Sequence, residues 1–166
     1  MADDMIKIKV LVLADYACGT GFAQVSGNIM RRLNDTGKYD ITVIGINYDP
    51  AEEIDYSRWP GRIIPAITVA DMQAPDVYGR QKVLNELGKG IYDIFFTIQD
   101  TFIIGTIIPQ ILETREVVQK KFATIFYYPI DATPKAEWIT DVVSHIDFPV
   151  AYTEYARLKH LKLTLN

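Results

Sequence analysis

Segments that suit β-strands alternate with segments that suit helices along the whole chain. The first, residues 6–14, is a nearly unbroken aliphatic run, which is typical of a strand covered on both faces. Phe22, Val25, Ile29 and Leu33 then recur at helical spacing. Such alternation favours a parallel sheet with right-handed crossovers. We therefore predict an α/β fold, a three-layer, Rossmann-like, doubly wound and mainly parallel sheet.

The remaining elements follow from the same patterns. Further strands are predicted at 39–46, 62–69, 91–98, 122–128 and 148–152. Pro65 favours an edge position for the third strand, or an irregular segment there, because proline cannot donate to a central ladder. Helices are predicted at 76–87, at 104–112 and at 154–163. Pro109 should kink the second of these or begin a new turn, and Thr133-Pro134 should start another helix.

The composition limits how many domains the chain can form and which classes of partner it can bind. A chain of 166 residues that is 49% hydrophobic can form one packed core, so we expect a single domain over 1–166. A net charge of −4 supplies no basic field for nucleic acid or an anionic membrane. With one cysteine, Cys18, and two distant histidines, the sequence indicates a reducing compartment and no metal site.

Targeting signals are not apparent in the sequence. The first residues, Met1 to Asp4, are acidic where a signal peptide is basic. The apolar stretch 101–112 contains Gly105 and Pro109 and is shorter than the roughly 20 residues of a membrane-spanning helix. We expect no transmembrane segment and a cytoplasmic location.

Polar residues follow the predicted strands, where ligands bind in open parallel sheets. Such side chains also commonly cap the next helix, so their position alone does not name a ligand. The candidate site residues are the loop Gly19, Thr20, Gly21 and Phe22, then Asn47, Tyr48, Gln99, Asp100, Asp131 and Glu154.

The glycine-bearing loop after the first strand fits no standard nucleotide motif. Gly19 and Gly21 would let the backbone turn tightly and approach a bound group, and the following helix would direct its positive end at an anion. Gln24 stands where the dinucleotide fingerprint has its third glycine, and no lysine follows as in a Walker loop.

One alternative rests on this loop. Asp15 to Gly21 resembles the first motif of S-adenosylmethionine-dependent methyltransferases, D-x-(A/G)-C-G-x-G. Those enzymes carry an acid at the end of the second strand, where this chain has Asn47 and Tyr48, with Asp49 the nearest acid. Their fold also finishes on an antiparallel strand, whereas a helix rich in Lys and Arg is predicted here.

Segments spread along the chain resemble the N-terminal domain of retaining GT-B glycosyltransferases, in the group that includes glycogen-synthase-like and group-one enzymes. The resemblance lies in the order of the segments more than in any one of them. They are Gly19 to Ser26, Val43 to Pro50, Asp76 to Gly79, Tyr92 to Asp100, Tyr128 to Ala132 with Trp138 and Asp147, and Val150 to Arg157.

The resemblance implies an acceptor-side domain that faces a second, nucleotide-sugar-binding domain across a cleft. The loop Gly19 to Phe22 would lie near the donor phosphates and sugar. Asn47, Tyr48, Gln99, Asp100 and Glu154 would line the acceptor side, with Asp131 as a candidate base or sugar ligand. No cofactor is implied for this domain alone.

The residues of the second domain do not occur before Asn166. The family's paired glutamates, spaced E-x7-E, and its basic residues for the diphosphate belong to that domain. Without them the leaving group lacks electrostatic stabilisation, so we expect the chain by itself to be inactive. The donor-binding domain and a carbohydrate or other acceptor are the implied partners, and an uncovered face could support a homodimer.

A third interpretation is a non-catalytic module that binds glycans or proteins. It is motivated by three aromatic residues that are expected to be exposed, Tyr48, Trp59 and Tyr78.

Overall fold

A computed structural model describes residues 6–67, 76–130 and 136–164. One six-stranded sheet has the order β3-β2-β1-β4-β5-β6, and all of its pairings are parallel. The predicted α/β class and Rossmann-like parallel sheet are therefore confirmed. The strands are β1 (Ile8–Asp15), β2 (Tyr39–Ile46), β3 (Arg62–Pro65), β4 (Ile94–Ile98), β5 (Ala123–Tyr128) and β6 (Phe148–Ala151).

Helices flank the sheet on two sides. They are α1 (Gly21–Asp35), α2 (Arg80–Leu87), α3 (Thr101–Ile104), α4 (Ile108–Val117), α5 (Ala136–Val143) and α6 (Glu154–Thr164). One core cluster contains residues of α1, and the other contains residues of α2 to α6. None of the described helices could cross a membrane.

The aliphatic run of β1 serves both clusters. Val10 and Val12 lie in the α1 cluster, whereas Leu11 and Leu13 lie in the other. Successive side chains of a strand point to opposite faces, so a strand covered on both sides has no polar face. This is why the pattern of β1 is continuous rather than alternating.

Two helix boundaries differ from the predictions. The helix predicted at 76–87 begins at Arg80, because the carboxylate of Asp76 accepts from the amides of Arg80 and Gln81 at 2.8 Å, and Gly79 has φ +69°. The helix predicted at 104–112 is two helices, and Pro109 lies in the first turn of α4. Proline suits that position because its missing N–H has no helical partner there.

Proline also marks the edge of the sheet. Among the described residues β3 pairs only with β2, so the predicted edge position is confirmed, and the strand predicted at 62–69 ends at Pro65. The predicted helix start at Thr133-Pro134 lies outside the described residues, and α5 is described from Ala136.

The loop after β2 folds back onto α1 through Trp59. Its ring packs on Gly27, where an added Cβ would lie 2.4 Å from Trp59 Cζ3. Tyr16 meets the same ring edge-on, at 5.1 Å between centroids, and donates its hydroxyl to the carbonyl of Pro60. Trp59 is only 8% exposed, so its predicted exposure was wrong. Hydrophobic burial outweighed its position in a polar loop.

Replacing Gly27 by alanine should overpack this contact and lower the free energy of unfolding by about 1–3 kcal/mol. Gly21→Ala is the matched control in the same helix. A Cβ at position 21 would meet no atom within 4 Å outside its chain neighbours and the backbone of its own helix. This substitution should leave stability unchanged or raise it by up to about 1 kcal/mol. Urea denaturation of both variants checks this, and equal effects would refute the proposed packing.

Asp147 ties the start of β6 to β5. Its carboxylate accepts from the backbone and hydroxyl of Thr124, both at 2.8 Å, and pairs with Arg115 at 2.6 Å. Partial burial alone would raise its pKa, but the hydrogen bonds from Thr124 and the charge of Arg115 outweigh burial and hold the pKa of Asp147 below its ordinary value.

Because the pKa of Asp147 is lowered by folding, its contribution should be present above about pH 4 and lost as the pH falls through the folded value. Asp147→Asn should cost about 1 kcal/mol at pH 7, since the carboxylate is partly solvated, and progressively less below pH 4. Urea denaturation from pH 3 to 7 measures the difference. Asp35→Asn, at an exposed site, controls for the change of net charge.

Candidate functional site

The carboxylate of Asp15 holds together the ends of three neighbouring strands. Asp15 is the last residue of β1 and is only 5% exposed. Its Oδ2 accepts from the hydroxyl of Thr20 at 2.6 Å and from Nδ2 of Asn47 at 3.3 Å. Its Oδ1 accepts from Nε2 of Gln99 at 3.3 Å. Three of the predicted site residues therefore meet on one carboxylate.

This cluster lies where the direction of strand progression reverses. The chain moves from β1 outward to β2 and β3, then crosses to β4 on the other side of β1. Asn47 follows β2 and Gln99 follows β4, so both flank Asp15 at the carboxyl edge. This switch point is where open α/β sheets leave a crevice for ligands.

The backbone of the cluster is held in uncommon conformations. Ala17 has φ +52° and Asn47 has φ +57°, in the left-handed region that non-glycine residues rarely occupy. The bonds of Asn47 and Thr20 to Asp15 hold both segments in place. Such strain tends to occur where a site must be preorganised.

The loop glycines do not fill one of the two roles predicted for them. Gly19 and Gly21 have no positive φ, so the tight turn that we expected of them is carried by Ala17 instead. A Cβ on either glycine meets no atom within 4 Å apart from its chain neighbours. Within the described residues, the fold does not require either to be glycine. The open space beside their backbone is accessible to a bound group.

The first turn of α1, next to this space, contains two amides without an acceptor among the described residues. Thr20 is the N-cap, and its hydroxyl and carbonyl accept from the amides of Ala23 and Gln24. The amides of Gly21 and Phe22 donate to no acceptor in the described part of the chain. Free amides at the positive end of a helix bind anions.

The other residues predicted for the strand ends are more dispersed. Tyr48 packs against Gly45 of β2. A Cβ added to Gly45 would lie only 2.9 Å from Tyr48 Cβ. Burial, Tyr56 and Asp49 raise the pKa of Tyr48. Asp100 is the N-cap of α3, directly after Gln99. Asp131 lies outside the described residues.

Glu154 belongs to a separate cavity at the same edge. β6 is three strands from β1, so Glu154 lies roughly 14 Å along the edge from Asp15. Both carboxylate oxygens of Glu154 accept from Arg157, at 2.7 and 2.5 Å, and these bonds lower its pKa. The cavity, of about 490 Å³, is also lined by Tyr152 and His160.

A partly buried pair forms the inner wall of this cavity. Tyr128 and His160 share a hydrogen bond of 2.5 Å between the hydroxyl and Nδ1. Burial raises the pKa of Tyr128 to about 12 and lowers the pKa of His160. Burial therefore favours the neutral form of both side chains, and the cavity offers hydrogen bonds and aromatic surface near the Glu154–Arg157 pair at its rim.

Neither models of known protein families nor curated proteins match this sequence. Among the described residues, no three His, Cys, Asp or Glu side chains are grouped as metal ligands would be.

Asp15 is the site residue that we did not select from the sequence. A carboxylate at the end of an otherwise aliphatic strand is the signal, because a buried charge requires partners. Those partners come from positions 20, 47 and 99, which no local spacing connects.

Asp15→Asn should lower the free energy of unfolding by about 1–3 kcal/mol, because all three partners donate and an amide cannot accept on both atoms. Asp49→Asn is the matched control. Asp49 is exposed and accepts one bond, from the amide of Ala51 at 2.8 Å, which an Asn oxygen preserves, so its cost should stay within about 0.5 kcal/mol. Comparable denaturation midpoints for the two variants would contradict the role of Asp15.

Proposed function

We propose that this chain is the acceptor-side, Rossmann-like domain of a glycosyltransferase that moves a sugar from a nucleotide-sugar donor to an acceptor with retention. A second domain would bind the donor across a cleft at the carboxyl edge of the sheet. Asn47, Tyr48, Gln99, Asp100 and Glu154 are proposed for the acceptor side, and Asp131 as a candidate base or sugar ligand.

The observation that carries the proposal is the unfilled space at Gly19 and Gly21. A side chain there would meet nothing in the described fold, so stability does not explain the absence of one. A group that approaches the backbone closely does explain it. The free amides of Gly21 and Phe22 next to this space suit the diphosphate of a nucleotide sugar.

The chemistry assigned to the chain's own residues is binding and orientation. The hydrogen bonds of Asp15 are all made within the protein, so we assign it a positioning role, holding Asn47 and Gln99 at the edge. Fixed polar groups lower the barrier of a transfer reaction by orienting the reactants. In the proposed enzyme, charge stabilisation of the leaving diphosphate comes from the second domain.

Two residues weigh against methyl transfer. Asn47, where the methyltransferases place a ribose-binding acid, uses its side-chain amide on Asp15. Asp49, the nearest acid, accepts a bond within its own turn. The proposal of a non-catalytic module loses one of its three aromatic residues, because Trp59 is buried.

Valine at Gly19 should fill the proposed donor space without unfolding the domain. In the full-length polypeptide that contains this chain, release of nucleoside diphosphate would be measured with a panel of UDP-, GDP-, ADP- and TDP-sugars. Gly19→Val should lower the rate about 10- to 100-fold, as expected when a bound group is displaced by an ångström. Gln119→Val, at an exposed position before β5, should not change it.

Two outcomes would overturn the proposal. One is the absence of nucleoside diphosphate release with every donor tried. The other is saturable micromolar binding of S-adenosylmethionine in calorimetry, which would favour methyl transfer. Glycan binding by a full-length polypeptide that transfers no sugar would favour the non-catalytic module.

A further inference from the structure

Half of one sheet face is not covered by any helix of the described residues. β1 and β2 are covered by α1, but over β4, β5 and β6 the same face carries half-buried and exposed apolar side chains. Phe148 and Val150 are 58% and 41% exposed. We call this surface the apolar strip, and it consists of Ile94, Phe96, Ile125, Tyr127, Phe148, Val150 and Tyr152.

The register places these residues on one face. Ile125 pairs with Phe148, and Tyr127 pairs with Val150. Tyr127 also stacks on Tyr152, at 4.9 Å between ring centroids. On the opposite face of β5, Phe126 and Tyr128 are at most 1% exposed, under the helices of the other layer. A doubly wound sheet usually has both faces covered, so the difference between the two faces of one strand requires an explanation.

The dimensions of the strip suit one helix. Three strands about 4.8 Å apart span roughly 10 Å, which matches the 8–10 Å between packed helices. A groove of about 470 Å³ separates α1 from Tyr127, and Val25 and Ile29 form its α1 wall. An additional helix over β4 to β6 would therefore pack against both the sheet and α1.

The groove also contains a positive charge that lacks a partner of opposite charge among the described residues. Arg32 lines the groove and has no salt bridge to a carboxylate among the described residues. None of the described residues that line the groove is Asp or Glu. An acidic residue on the flank of the incoming helix would pair with Arg32. A second copy of this chain fits less well, since the same patch would bring its own Arg32 and no acid.

We propose that the apolar strip docks an amphipathic helix from outside residues 1–166, with an apolar face toward β4 to β6 and an acidic flank toward Arg32. Within residues 1–166, the segments outside the described ranges have at most eight residues, 68–75. A helix that spans strands of this length needs about 12 residues. The proposal does not depend on sugar transfer.

The probe is a stapled 14-residue helical peptide with leucines at i, i+3, i+4 and i+7 and two glutamates on one flank. A second peptide has lysines in place of the glutamates. Fluorescence anisotropy with the 166-residue chain should give about threefold to fivefold tighter binding of the glutamate peptide, as one or two exposed ion pairs allow. Arg32→Glu should reverse this preference.

Matched variants test the apolar contact. Phe148→Ser should weaken the binding of both peptides at least threefold, whereas Leu158→Ser, which removes a comparably exposed residue of α6 outside the strip, should not. Failure of both peptides to bind, or a charge preference that Arg32→Glu leaves unchanged, would overturn the proposal. So would a dimer in sedimentation that Phe148→Ser dissociates, because the strip would then bind a second copy.

Discussion

The carboxylate of Asp15 is the interaction on which the carboxyl edge of the sheet depends. A buried carboxylate is costly unless donors surround it, and here the donors come from the α1 cap, the β2 exit and the β4 exit. The requirement is reciprocal. The carboxylate needs these segments, and Asn47 holds its left-handed backbone where its amide reaches the carboxylate. One residue thus fixes the relative positions of the three loops around the proposed ligand space.

Much of the fold could be predicted from the sequence because it depends on local patterns. The apolar run of β1, the proline at the end of β3 and the helical spacing of α1 each involve near neighbours. Pro109 was also interpreted correctly in one of two ways, since it lies in the first turn of a new helix, which was one of its two predicted effects. The true start of α2 depends on Asp76 reaching the next amides, a capping geometry that hydrophobic spacing does not report.

The candidate site was predictable only in part. Position after a strand was enough to select Thr20, Asn47 and Gln99, because topology brings strand ends to one edge. Position after a strand could not reveal that these three residues share one carboxylate. The sequence also did not show that Trp59 is buried against Gly27, since both contacts join residues far apart in sequence. Position after a strand also grouped Glu154 with the central residues, although β6 lies at the far side of the sheet.

The edge strand β6 limits how another protein can approach this side of the domain. The amide of Tyr152 bonds to Tyr128 in β5, so alternate residues turn their amides outward, and Pro149 has no amide to offer there. An exposed edge with its full set of donors can template strand addition and aggregation. Proline at this position removes one outward donor and so disfavours such growth next to the apolar sheet face.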